Sequence, residues 1–291
     1  MYEDILLPFD GSDGATAVLD HVADLARWAD ATVHLLYVAD TTRDSVTVVQ
    51  GETVDALAQA GEETLQAAVT ALEDEPGVAF ETDVVQGNPA PTIVDYAERY
   101  DQDLIVMPTH GHEGISRYLL GSVAEKVVRL SSVPVLTARM QADERLAFPY
   151  EDVLVPTDGS ETAIRAADHG LALAAALDAT VHALSVVDDS VLGPDGQAVS
   201  PGEEGEAAAT EAVEAVAAKA EELGVPETVT HVQRGGPVET ILDCIEANGI
   251  DAVVMGTTGR TGTDRILLGS VAEKTVRSAP VPVVTVGEGE E

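Results

Sequence analysis

Residues 150–160 read YEDVLVPTDGS, and residues 2–12 read YEDILLPFDGS. A short apolar run halted by Pro, Asp, Gly and Ser is a buried strand entering a turn, with Ser placed to cap a following helix. A strand without polar alternation is covered on both faces, as in a parallel sheet flanked by helices. The two copies stand 148 residues apart, and that offset holds along the chain. Thr32-Val33-His34 falls on Thr180-Val181-His182, Gly87 on Gly235, Pro89 on Pro237, Gly111 on Gly259, and the GSVAEK at 121 on that at 269. A period this long is duplication of a whole domain, whereas solenoid repeats run to about 20–50 residues.

Each half carries the same succession of elements. After the first strand comes a helix-periodic segment (ATAVLDHVADLARWAD in the first half), then the strand ATVHLLYVAD and a polar loop at 41–52 or 188–205. The second of these loops, with PDG and PGEEGE, is expected to be the most mobile segment of the chain. A long alanine-rich helix (EAAATEAVEAVAAKAEEL in the second half) follows, then a strand around Val84 or Val232 and a helix after Pro89 or Pro237. The strand DLIVM or DAVVM, a loop, the SVAEK helix and the strand VPVLT or VPVVTV complete the half. Alternating strands and helices predict an α/β fold: two tandem Rossmann-like domains, each a five-stranded parallel sheet flanked by helices. The expected boundaries are 1–139 and 150–287, joined by a linker at 140–149.

The chain has 291 residues, 52 acidic against 15 basic, and a formal charge of -37. That balance speaks against a nucleic-acid partner. With 45% hydrophobic residues the chain is not of the disordered class. An acidic shell over a packed core is tolerable where salt screens it, the Debye length falling to about 3 Å at 1 M. A salt-rich cytoplasm is the expected setting, with a generally acidic protein at ordinary ionic strength as the alternative. No apolar run approaches the roughly 18 residues of a membrane span, and MYED does not open a signal peptide, so a cytoplasmic location off the membrane is expected. The single cysteine, Cys244, reads as a buried apolar thiol.

Ligands of open parallel sheets collect beyond the carboxyl ends of the strands, where the strand order reverses. There the second half carries GTTGRTGTDRILLGSVAEK at 256–274. Gly256 is expected to let backbone approach a ligand, and Gly259 to permit a tight reversal. Gly269 and Ser270 are expected to offer free amides and a hydroxyl at the positive end of a helix, the parts of an anion cradle. Arg260 and Arg265 fall in the same loop and suit phosphate, unless they are solvated loop arginines. A purely local role is open to each of the rest as well. Asp158 could simply cap the first helix, Ser270 could cap VAEK with Glu273 closing a capping box, and the glycines could be turn formers.

The spacing G-x2-G-x9-G-S, with VPTDGS after the first strand, the H-x-x-x-V of His182 and Val186, and the closing VPVVTV, resembles the universal stress protein family. In that family's ATP-binding branch the spacing is the nucleotide signature. The resemblance implies strand order 3-2-1-4-5 in each domain and an adenine nucleotide (ATP, ADP or AMP), with Mg or Mn on its phosphates where a divalent ion is present. It implies that Asp158, flanked by Pro156 and Thr157, meets the ribose or adenine side. Val186 would give backbone contacts to adenine, while Gly256, Gly259, Arg260, Gly269, Ser270 and Val271 would surround ribose and phosphates. It also implies pairing of the two domains through VPVLT and VPVVTV, and it is compatible with a homodimer and with a protein partner that the sequence does not name.

The first half departs from the pattern at Pro108, which has no amide N–H and adds a ring where the twin has Gly256. Asp10, Val38, Gly111, Gly121 and Ser122 keep the rest, with Arg117 present and His110 and His112 beside the loop. This copy is expected either to bind weakly or another anion, or to be a structural support for the second. No Walker loop, G-x-G-x-x-G or G-x-S-x-G is found, and no catalytic set is apparent. A stress-responsive nucleotide-binding protein is the expected function. A nucleotide-free interaction module and a weak ATP hydrolase are the alternatives.

Overall fold

The structure, a computed structural model, describes residues 1–40, 53–109, 120–139, 144–188, 202–258 and 268–287. The chain divides into two compact units, the first containing Met1–Ala142 and the second Asp143–Glu288.

In the first unit β1 (Asp4–Pro8) leads into α1 (Asp13–Ala17) and α2 (Leu19–Ala29), then β2 (Thr32–Asp40) and α3 (Thr53–Glu73). Next come β3 (Ala79–Gly87), α4 (Pro89–Arg99), β4 (Leu104–Pro108), α5 (Ser122–Leu130) and β5 (Val135–Ala138). Its sheet runs β3-β2-β1-β4-β5, every pair parallel. The second unit repeats the plan: β6 (Asp152–Pro156), α6 (Glu161–Leu177), β7 (Thr180–Val187), α7 (Gly202–Leu223) and β8 (Glu227–Arg234). It continues with α8 (Pro237–Asn248), β9 (Ala252–Gly256), α9 (Ser270–Ser278) and β10 (Val283–Val286). Its sheet runs β8-β7-β6-β9-β10, again all parallel. Chain direction across the sheet therefore reverses between β1 and β4, and between β6 and β9.

The apolar strands form the core as their pattern requires. Ile5, Leu6 and Leu7 of β1 and Val153, Leu154 and Val155 of β6 are completely enclosed. In the second unit α6 and α7 pack together over one face of the sheet, and α8 and α9 pack together over the other. One carboxylate ties down the entry of each first strand: Asp103 Oδ2 accepts from the amides of Glu3 and Asp4, and Asp251 Oδ2 from those of Glu151 and Asp152. Arg145, in the linker, donates its amide to Pro280 O at 2.7 Å and its guanidinium to Ile250 O at 3.0 Å, which fixes the linker's end to the second unit.

Two expectations are corrected. The loop expected at 188–205 ends earlier, because α7 begins at Gly202 and takes Glu203 and Glu204 into its first turn. There their charges complement the positive helix end, a stabilisation that loop-like PGEEGE hides. Residues 41–52 and 189–201, the rest of the two polar loops, lie outside the described residues. The first helix of the first unit is interrupted at Val18, which keeps right-handed helical angles (φ -87°, ψ -9°), whereas its counterpart α6 is continuous.

Candidate functional site

The site is assembled at the carboxyl ends of β6, β7 and β9. After β6, the Thr157 amide donates to Leu184 O at 2.8 Å, holding the turn against β7. Asp158 Oδ1 accepts from the Ser160 amide at 3.0 Å, and the Thr157 hydroxyl accepts from the Gly159 amide at 3.2 Å. Ser160, and not Asp158, is the cap of α6: its Oγ accepts from the Ala163 amide at 3.3 Å. Asp158 thus shapes the turn that precedes the cap, and capping does not explain it. The first unit repeats this pattern, with Asp10 accepting from Ser12 at 3.0 Å and Ser12 capping α1.

On β7, His182 and Val186 separate into different roles. His182 is buried, 6% exposed, and its Nε2 bonds Asp152 Oδ1 at 3.0 Å, at the amino end of the sheet and away from the loop. Its Nδ1 meets His231 Nε2 at 3.0 Å, with the rings nearly coplanar and their centroids 5.3 Å apart, as an end-on N–H···N bond requires. Burial first, and then the neighbouring His182, push the His231 pKa below its usual value. In the first unit His34 bonds Asp4 likewise. Val186, four residues on, approaches the carboxyl edge beside the Thr157–Gly159 turn, and Val38 is its counterpart.

The β9–α9 loop closes on a neck. Gly269 donates its amide to Thr257 O at 2.7 Å, and a Cβ on Gly269 would lie 3.0 Å from that same oxygen. The expectation that Gly269 offers a free amide is therefore corrected. Gly269 is itself the cap position of α9, without a side-chain capping bond, and Ser270 is the first helical residue. The alternative of a Ser270–Glu273 capping box does not hold, since Gly269 is the cap residue and Glu273 pairs with Arg277 at 2.6 Å. The amides without intrahelical partners belong to Ser270, Val271 and Ala272, the first turn after the cap. They sit at the positive end of α9, next to the strand-order reversal. The first unit has the same neck, with Gly121 donating to Thr109 O at 2.6 Å and Ser122 opening α5.

Gly256 also differs from expectation. A Cβ there would lie 3.0 Å from both the carbonyl carbon and oxygen of Thr162 and 3.2 Å from the Ala163 nitrogen. Close packing of β9 on the first turn of α6 demands this glycine, rather than open space for a ligand. Sequence reasoning missed Thr162, whose hydroxyl donates to Thr258 O at 2.7 Å and accepts from the Thr258 hydroxyl at 3.3 Å. The signal was present in the repeat: the counterpart of Thr162 is Gly14 and that of Thr258 is His110. Gly111, Gly259, Arg260, Arg265, His110, His112 and Arg117 lie outside the described residues. A cavity of about 500 Å³ between α6 and α7 shares Thr157 and Gly159 with this region, and Ile164, half exposed, forms part of its wall.

Among the described residues no group of three or more His, Cys, Asp or Glu is placed to hold a metal ion, and no helix is long and apolar enough to cross a membrane. Cys244 is buried, and burial raises its thiol pKa, with the Asn248 hydrogen bond opposing in part. It is a packed thiol and not a thiolate nucleophile.

Fold and site define a duplicated doubly wound α/β protein with an anion-suited helix start at the strand-order reversal of each unit. The family model for the universal stress protein family matches residues 1–139 and 149–287, and the chain belongs to that family. A universal stress protein of Methanocaldococcus jannaschii is 40% identical over 147 residues, covering 50% of this chain and 86% of the relative. One of Mycolicibacterium smegmatis is 26% identical over 291 residues, covering 97% of this chain and 96% of that one. The crystal structure of a universal stress protein from Archaeoglobus fulgidus superposes with a TM-score of 0.75 at 25% identity, covering 98% of each chain.

Proposed function

We propose that the second unit binds an adenine nucleotide and that the protein acts as a nucleotide-responsive stress or regulatory protein in the cytoplasm of a salt-adapted cell. The observation that carries this reading is the pairing of three amides free of intrahelical partners, at Ser270, Val271 and Ala272, with a neck that holds them at the strand-order reversal. Such amides bind phosphate without needing a cation cage. In this reading Asp158, with Pro156 and Thr157, faces the ribose or base, Val186 offers its backbone to the base, Gly256 sets the distance between β9 and α6, and Gly269 sets that between the end of β9 and α9. Gly259 and Arg260 complete the phosphate end. A divalent ion such as Mg or Mn would be held by the phosphates. The bound nucleotide supplies charge and shape to which a protein partner responds, and the chain's part is to bind and orient it.

The first unit reads as the weaker or nucleotide-free copy. What favours this is Pro108 in place of Gly256, with Gly14 in place of Thr162. Pairing of the units through their last strands, and a homodimer, extend the proposal.

Equilibrium binding of ATP in concentrated KCl, with wild type and Gly259→Val compared, tests the central claim. The variant is expected to bind at least about tenfold more weakly, a loss of ~1.4 kcal/mol. Equal affinity would remove the site. The salt-adapted setting has its own check, since a charge of -37 repels itself less as screening grows. The thermal midpoint is expected to rise by at least about 4 °C from about 0.1 M to about 1 M KCl. A flat or falling midpoint would leave the acidic surface without that explanation.

A further inference from the structure

We propose that Thr162 is the positioning residue of the second unit's nucleotide site, and that it makes this unit the binding copy. The inference rests on the reading of that site as nucleotide-binding. Thr162 is 4% exposed and lies in the first turn of α6, while Thr258 lies two residues past β9. The 2.7 Å bond from its hydroxyl to Thr258 O and the 3.3 Å return bond from the Thr258 hydroxyl join the two segments twice. Ser160 Oγ approaches the same hydroxyl at 3.4 Å, so the cap of α6 belongs to the cluster. Gly256 and Gly269 press the backbone in from either side: the site of a Gly256 Cβ is filled by Thr162 backbone, and that of a Gly269 Cβ by Thr257 O.

The outcome is one braced unit. The turn bearing Asp158 is fixed through Ser160 and Thr162 to Thr258, and Thr257 is fixed to Gly269 at the start of α9. The two ends of a ligand spanning from Asp158 to Ser270 are thereby held at a set separation before it arrives, which lowers the ordering cost of binding. The first unit retains the Thr109–Gly121 neck, but Gly14 brings no hydroxyl and cannot make the brace. This distinction falls outside the glycine spacing.

The test is ATP affinity, by calorimetry in concentrated KCl, for wild type, Thr162→Val and Thr162→Ser, with thermal midpoints of the nucleotide-free proteins alongside. Thr162→Val keeps the shape and removes the donor, and its affinity is expected to fall about tenfold. Thr162→Ser restores the hydroxyl and is expected to stay within about threefold of wild type. A threonine that merely stabilised the fold would lower the midpoint in Thr162→Val and leave affinity unchanged in the folded protein, overturning the proposal. So would a Thr162→Ser protein as weak as Thr162→Val. Wild type that binds no ATP would instead defeat the nucleotide reading and this inference with it. If Thr162→Val does not fold, Thr162→Ala takes its place: affinity about tenfold below that of Thr162→Ser is expected, and affinity equal to it would overturn the proposal.

Discussion

Gly256→Ala is expected to destabilise the second unit by about 2 kcal/mol, within the range for overpacking a filled interior. The added methyl group would stand 3.0 Å from the carbonyl carbon and oxygen of Thr162 and 3.2 Å from the Ala163 nitrogen. These are backbone atoms in the first turn of α6, so no side chain can rotate aside. Relief requires β9 and α6 to part, and both are central to the unit: Val253 and Val254 of β9 and Ala163 and Ala166 of α6 are buried. Gly269→Ala has one contact as close, the Thr257 carbonyl oxygen at 3.0 Å, with Thr258 Cα at 3.5 Å and the Thr257 carbonyl carbon at 3.9 Å, so a smaller loss is expected there. The first unit carries the much larger Pro108 at the same position, opposite Gly14 and beside a helix interrupted at Val18. Cys244, the chain's single cysteine and 1% exposed, gives a local readout, because its labelling by a thiol reagent reports opening of the second unit alone. Labelling in urea should show Gly256→Ala opening at lower denaturant than wild type. Protection within about 0.5 kcal/mol of wild type would mean that the packing yields and that the glycine is there for the ligand after all.

The fold was legible because its signals are redundant. YEDVLVPTDGS predicts a covered parallel strand, a turn and a capped helix, and each is present as β6, the Asp158 turn and Ser160 capping α6. The repeat doubled every such signal and set the element order. The candidate site was legible by position and less so by role. Glycine spacing locates the loop but does not say what a missing Cβ is missing for, and at Gly256 and Gly269 the answer is backbone within the chain. Gly269 as a cap without side chain, in place of Ser270, is a matter of one residue of register, which depends on the neck bond to Thr257 and has no sequence mark. Thr162 was overlooked for a related reason, its one mark in the sequence being the Gly14 that stands in its place in the other copy. One threonine near a helix start carries no pattern, and only its contact with Thr258, 96 residues away, gives it a role. His182 shows the reverse case, a motif residue whose partners, Asp152 and His231, assign it to the sheet's register and not to the ligand.

Acid is expected to undo both units well before carboxylate protonation alone would, through a pair of histidines that the repeat places alike. His21 of α2 and His169 of α6 stand 148 residues apart, and burial lowers each from 6.5 to about 4. For His21 burial is the larger cause, and the Asp24 charge opposes it. A lowered folded pKa means that the fold holds the neutral ring. Above about 6.5 both folded and unfolded chains are neutral at these sites, and the full contribution to stability is present. As the pH falls below 6.5 the unfolded chain takes up a proton that the folded chain refuses, and stability is lost until the folded ring titrates near 4. At ~1.4 kcal/mol per pH unit the loss approaches ~3 kcal/mol for each unit of the protein, an order-of-magnitude ceiling that relaxation around the ring would lower. Urea unfolding in concentrated KCl at pH 7, 6 and 5 should show stability falling with pH, and the double variant His21→Leu/His169→Leu should flatten that slope whatever its stability at pH 7. The slope is the diagnostic quantity, since leucine changes packing equally at every pH and removes the titration alone from the pH dependence. An unchanged slope in the double variant would assign the acid sensitivity to other groups.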